Sequence, residues 1–327
     1  MKTIRESWKD SLVKSVFDKH LLQEIPNSPQ RNYASIVVLR EFSSTAVLTT
    51  EGQVLDVELL RSGHKQHQLI SRVVLQKRKQ IAPERRTGRA YNRQLGWGEK
   101  CSYMNQMCGK CPDCLIYGYA ATTGEGAQRS RVLTDSGFAI RSYEVMQRSI
   151  TLNAIQDTTK GGVAGSAFAE REHIRPQVFF PTIETAVDVT PSELVYILRN
   201  ILTTSRYGAE SNRQGYVENH VVAFIFGNSE LCSNLSLTQR VYDRLFEQKN
   251  EQIHELPLDR LEVEEAVQSV LCELVEESYL PAHLYTGDEL QSLLSSLRQL
   301  WRSEEGKKEW LEQLEKDHQT YLKNRSK

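Results

Sequence analysis

Four of the chain's six cysteines fall within fourteen residues, in the run CSYMNQMCGKCPDCLIYG (101–118). The spacing is Cys101-x6-Cys108-x2-Cys111-x2-Cys114, close enough for one ion to draw this stretch into a tight loop. A C-x2-C pair presents two thiolates to one ion at about 2.3 Å, and two further sulfurs complete a tetrahedron. Gly109 allows the sharp turn such a knuckle needs, and Pro112 stiffens the next one. Cys108, Cys111 and Cys114 crowd one another, so one of them can cede its place to a nearby histidine, His64 or His67. An iron–sulfur cluster also uses C-x2-C-x2-C, although the C-x3-C-P run of bacterial ferredoxins is absent. Structural zinc, an iron–sulfur cluster and free redox thiols are the three readings of the cluster.

Disulfides are the least expected use. With 327 residues and 39% hydrophobic content the chain can build a core without staples. Its start, MKTIRESWKDSLVKSVF, has no apolar stretch of a secretory signal, and no run is long enough to span a membrane. A cytoplasmic location follows as the expectation, and clustered cysteines in a reducing compartment point to metal or redox chemistry.

The net charge of −1 hides an asymmetry. Residues 61–100 carry eleven Lys or Arg against two Glu, whereas residues 251–327 carry seventeen acids against nine bases. The run QKRKQIAPERRTGRAYNRQLGWG mixes basic side chains with Tyr91 and Trp97. Phosphates attract Lys and Arg, and unstacked bases attract aromatic and guanidinium planes, so the segment reads as a groove for single-stranded nucleic acid. AQRSRVLTDS and SRYGAESNRQGY repeat the pattern on a smaller scale. Charge and position nominate Lys77, Arg78, Lys79, Arg85, Arg86, Arg89, Arg129, Arg131, Lys160, Arg206 and Arg213.

Periodicity gives an α+β chain. Residues 7–22 have helical spacing, and YASIVVLREFS (33–43) is β-branched and apolar. From 61 to about 150 the pattern becomes irregular and rich in Arg, Gly and Cys, as in an insertion organised by metal rather than by apolar burial. SYEVMQRSITLNAIQDTTK and PQVFFPTIETAVDV read as two long strands of a hairpin arm (143–189) with a glycine tip between them. PSELVYILRNILTTS (191–205) is a helix with Thr190 as N-cap and Pro191 in its first turn, and NHVVAFIFG (219–227) is a buried strand. From about Pro257 the chain is helical. The expected organisation is a ferredoxin-like core of residues 1–60 and 140–256, a basic cysteine-bearing insertion over 61–139, and helices over 257–327.

Evidence for catalysis is thin. The phosphate-loop, H-E-x-x-H, G-x-S-x-G and G-x-G-x-x-G patterns are absent, and the eight histidines are scattered. A metal-stabilised nuclease would need a loop aspartate, for which Asp157 and Asp135 are the available residues. A structural adaptor that binds proteins through its acidic helices is the other alternative.

CGKCPDCLIYGYA, EGAQRSRVLTDSGFAI, KGGVAGSAF and ILTTSRYGAESNRQG together resemble the crRNA-binding backbone subunits of type I-D CRISPR Cascade complexes, in the RAMP superfamily. The resemblance spans roughly residues 30–230. It implies a modified RRM-like core, structural zinc on Cys101, Cys108, Cys111 and Cys114, and a hairpin thumb tipped near Lys160 to Ser166. It implies as partners a crRNA, target DNA or RNA paired to that guide, further copies of the chain in a filament, and other CRISPR effector subunits. It implies no membrane and no catalysis; base pairing supplies sequence choice.

Overall fold

The strand YASIVVLREF is apolar at nearly every position, and a strand so composed must be covered on both faces. In the computed structural model, which describes residues 6–50, 52–103, 106–120, 126–155, 164–255 and 257–325, it is. The chain begins with α1 (Leu12–His20), that strand β1 (Tyr33–Phe42), β2 (Val57–Arg61) and β3 (Leu69–Leu75). There follow α2 (Lys77–Gln94), α3 (Pro112–Tyr117), the short β4 (Tyr119–Ala120) and β5 (Ala127–Gln128), β6 (Val132–Thr134) and β7 (Gly137–Phe138). Next come α4 (Tyr143–Met146), β8 (Gln147–Ile155), β9 (Ala164–Ile174), β10 (Val178–Val187), α5 (Pro191–Thr203), β11 (Arg206–Tyr207) and β12 (Gly215–Gly227). The chain ends with α6 (Asn234–Lys249), α7 (Arg260–Glu276), β13 (Ala282–Tyr285), α8 (Gly287–Arg302) and α9 (Glu304–Arg325).

The main sheet has the order β11-β12-β1-β10-β6, with β13 on β12, and every pairing is antiparallel. Ala34, Ile36 and Val38 of β1 point into one core with α1, α2, α5, α8 and α9. Val37 and Leu39 point into the other, under α6 and α7. No open sheet face is offered to a ligand along β1 or β10. A third core, around Phe42, Leu75 and Phe180, joins the sheet end to the small sheet β2-β3-β7.

Two readings of the sequence change. The stretch expected to be irregular holds the 18-residue α2, packed against α5. Its buried positions are mostly polar (Gln80, Glu84, Arg89, Asn92), so apolar periodicity could not reveal it. At Gly88 the helices close up: an added Cβ would lie 2.6 Å from Asn200 Nδ2. The second change is in the arm, whose strands are β8 and β9, paired from Gln147↔Ile174 to Ile155↔Ala164. PQVFFPTIETAV forms β10, in the middle of the main sheet; its run of apolar residues suits burial on two faces, not an exposed ribbon. Helix α5 starts as expected, with Thr190 and Glu193 in a reciprocal capping box. Among the described residues no helix is long and apolar enough to cross a membrane.

Candidate metal centre and nucleic-acid face

The cysteine run folds as a knuckle between α2 and β4. Cys111 precedes α3, Pro112 opens it, and Cys114 lies in its first turn. The sulfur of Cys101 lies 3.6 Å from Cys114 and 3.8 Å from Cys111, and Cys108 lies 3.9 Å from Cys114. All four sulfurs lie within 4.8 Å of one another. Sulfurs at the corners of a tetrahedron with bonds of about 2.3 Å stand about 3.8 Å apart, so the donors fit a tetrahedral ion of zinc size. Gly98, at φ +61°, lets the incoming chain pass: a Cβ there would lie 3.0 Å from that of Cys111. Cys101, Cys111 and Cys114 are buried and Cys108 is half-buried.

Left to themselves the thiols share charge. Hydrogen bonds from Cys111 and Cys114 hold Cys108 well below the ordinary thiol range, and hydrogen bonding with Cys108 pushes Cys111 and Cys114 above it. A divalent cation would let all four ionise together. Among the described residues no histidine joins the four sulfurs, the set of ligands first read from the spacing. His64 sits against α6, its Nε2 3.2 Å from Ser236 Oγ, while four cysteine sulfurs already converge. Cys232 and Cys272 are free thiols away from the knuckle.

Between the last two cysteines stands Asp113, which sequence reasoning passed over. Its side chain is fully buried and binds two arginines of α2. Arg85 donates from Nε to Oδ1 at 3.0 Å and from Nη2 to Oδ2 at 2.9 Å, and Arg89 donates to Oδ2 at 3.0 Å. Arg93 donates to the carbonyl of Cys101 at 3.0 Å. The arginine repeat at 85, 89 and 93 was the available signal, since residues four apart share a helix face.

The nominated basic residues therefore divide. Arg85 and Arg89 are taken up by Asp113, and Arg131 is largely buried against Glu193. Arg213 pairs with Glu210 at 2.7 Å, and Arg206 lies over the Tyr216 ring, 5.4 Å from its centroid. Lys79 is half-buried, its pKa lowered by that burial and by Arg78. Lys77, Arg78, Arg86 and Arg129 are exposed. Lys77 and Arg78 line a cavity of about 670 Å³ with Ile81, Leu133, Asp135 and Ser233. Asp135 belongs to no metal-ligating group among the described residues. Lys160 and Asp157 lie outside the described residues.

Across residues 20–311 the chain matches the family model described as Csc2 Crispr. The chain belongs to the Csc2 CRISPR family. The resemblance read from the cysteine, hairpin and loop motifs is borne out. Among solved structures, that of Thermofilum pendens Csc2 is similar in fold, with TM-score 0.55 at 20% identity over 91% of this chain and 93% of that one. A chain of a structure titled CRISPR RNA-guided surveillance complex has TM-score 0.49 at 9% identity, covering 79% of this chain and 92% of that one. No curated protein matches the sequence.

Proposed function

We propose that this chain is the crRNA-binding backbone subunit of a CRISPR interference complex, holding the guide by its phosphates and presenting its bases for pairing with target nucleic acid. Membership of the Csc2 family carries the reading. Several copies follow one another along the guide, and other effector subunits complete the complex. The exposed Lys77, Arg78, Arg86 and Arg129 are the residues we assign to RNA phosphates, with Arg206 of β11 and Lys160, which follows β8 in the sequence, as further contacts. Because helices cover both sheet faces, the contacts belong to α2 and the loops rather than to the sheet.

The core of the proposal is RRM-like. The succession β1–α2–β6–β10–α5–β12, with strands in the order β12-β1-β10-β6 and both helices on one side, supports it. In this arrangement α2 is a core helix, and the cysteine unit is an insertion between α2 and β6. Zinc is the ion we assign to the four cysteines. A full set of four sulfurs leaves no open position for water, which supports a structural site.

Size-exclusion chromatography at low and high salt tests the function. A large species with a high 260/280 nm absorbance ratio at low salt should lose its RNA at high salt, because phosphate contacts release counterions. A monomer free of nucleic acid that binds no single-stranded RNA at low salt would sink the reading.

A further inference from the structure

Helix α2 cannot depend on its own sequence for stability. Its first turn carries Lys77, Arg78 and Lys79, has no acidic residue and lacks a side-chain cap at Gln76. Cations there oppose the helix dipole. Only a few apolar side chains, among them Ile81 and Tyr91, reach the core. Polar contacts must hold the rest; at its C-terminal half Thr204 reaches Thr87 and Tyr196 reaches Asn92, and the arginines are met by the cysteine unit. Arg85 reaches Asp113 and the carbonyl of Gly118, the latter at 2.9 Å; Arg89 reaches Asp113; Arg93 reaches the carbonyl of Cys101. Asp113 lies on α3 in the two-residue gap between Cys111 and Cys114, so its carboxylate is placed by those two sulfurs together with the core contacts of Ile116 and Tyr117 at the far end of α3.

We propose that metal occupancy at the cysteine site sets the grip of α2 on RNA, with Asp113 as the positioning residue that transmits it. The inference rests on the reading above in one respect, that exposed Arg78 and Arg86 of α2 meet RNA phosphates. When the ion leaves, four sulfurs lose the charge that holds them together, and the knuckle loosens. Asp113 then no longer faces Arg85 and Arg89. Two guanidinium groups lose their counter-charge on a helix already crowded with cations, and the helix frays from its C-terminal half. Arg86 lies within the stretch that frays, and Arg78 lies two turns before it. Neither Asp113 nor any cysteine has to touch RNA for this to work.

The test uses the full chain in four forms: zinc-loaded, stripped by a strong zinc chelator, zinc-loaded Asp113→Asn, and zinc-loaded Arg86→Gln. Amide hydrogen exchange over 77–94 is measured without RNA, and affinity is measured with an unstructured 30-nucleotide RNA. Chelation and Asp113→Asn should each speed exchange over 85–94 at least tenfold and weaken RNA binding about tenfold. Asp113→Asn should still retain its zinc. Arg86→Gln should weaken binding and leave exchange unchanged. Zinc added back to the stripped protein should restore both readouts. Exchange in β10 and α5 is the internal reference; if Asp113→Asn loosens these too, the reversible chelation comparison decides. Unchanged exchange over α2 after chelation overturns the coupling. Faster exchange with unchanged affinity overturns its link to RNA. If the zinc-loaded chain binds no RNA, the functional reading fails first, while the exchange arm still reports on the coupling.

Discussion

The guanidinium of Arg40 and the carboxylate of Glu84 meet at 2.9 Å with neither side chain exposed to solvent. Arg40 comes from the middle of the sheet and Glu84 from α2, so the pair ties the helix to the strand beneath it. A second carboxylate, Glu184 of β10, binds the same arginine. Two carboxylates and one cation cannot all be charged in a dry interior. Burial, then the charge of Glu84, raises the Glu184 pKa well above the usual range, and Glu184 stays protonated. Isosteric Glu184→Gln should therefore cost about 1 kcal/mol or less. Glu84→Ala or Arg40→Met leaves a buried charge without its partner and should cost about 3–5 kcal/mol. Denaturant unfolding of the three variants measures the contrast. A Glu184→Gln variant as unstable as Glu84→Ala would show that Glu184 is charged.

Glu193 behaves in the opposite sense. Burial pushes its carboxyl up, but Arg131 and then His318 outweigh that and bring it down to about 2. Its folded pKa thus lies below the unfolded value, near 4.5. Its stabilisation is complete above pH 4.5 and disappears as pH falls from 4.5 to 2. The shift corresponds to about 3 kcal/mol. Unfolding free energies at pH 6, 4 and 3 should fall more steeply for the natural protein than for Glu193→Gln. Parallel pH profiles would mean that the Arg131–Glu193 pair is not what acid breaks.

The apolar signals in the sequence carried the parts of the fold that apolar burial builds. β1, α5 and β12 are legible because their Val, Ile and Leu residues repeat at strand or helix spacing over a buried layer. α2 is illegible for the converse reason. Its inward side chains are Gln80, Glu84 and Asn92, which pair with Arg40, Tyr207 and Tyr196 from elements remote in sequence. β10 was mistaken for the arm because a strand buried on both faces and a long ribbon strand look alike until their partners are known.

The site divides along the same line. Three cysteines at C-x2-C spacing, with Cys101 seven residues ahead of them, point to one another, since a metal site can be built from local ligands. Charge gives no such pointer. Arg72 looks like part of a basic groove, yet it is fully buried and donates to the carbonyls of Ser62, Ala139 and Ile140. Arg85, Arg89 and Arg131 are likewise paired inside. The excess of basic residues over 61–100 therefore overstates the charge that a ligand would meet.

Metal analysis should give about one zinc per chain, and X-ray absorption should show four sulfurs at about 2.3 Å. Cys114→Ala, at the fully buried ligand, should abolish zinc retention and lower stability by several kcal/mol, because binding the ion is part of folding. Cys272→Ser, at an exposed thiol, should change neither. Iron in the purified protein, or a nitrogen or oxygen neighbour in place of one sulfur, would contradict a four-sulfur zinc site.

Exposed and interior arginines of α2 should separate by the salt dependence of RNA binding. Each phosphate contact to a single strand adds about 0.7 to the slope of log affinity against log salt. Arg78→Gln and Arg86→Gln should each lower that slope by about 0.7 and leave the unfolding free energy within about 0.5 kcal/mol of the natural value. Arg85→Gln should do the reverse at the level of stability. It leaves the buried Asp113 with Arg89 alone, so it should cost about 2–4 kcal/mol. Because Arg85 meets no phosphate in this reading, RNA binding measured on its folded fraction should keep the natural slope. An Arg85→Gln protein of natural stability but reduced slope would move Arg85 from the knuckle to the RNA.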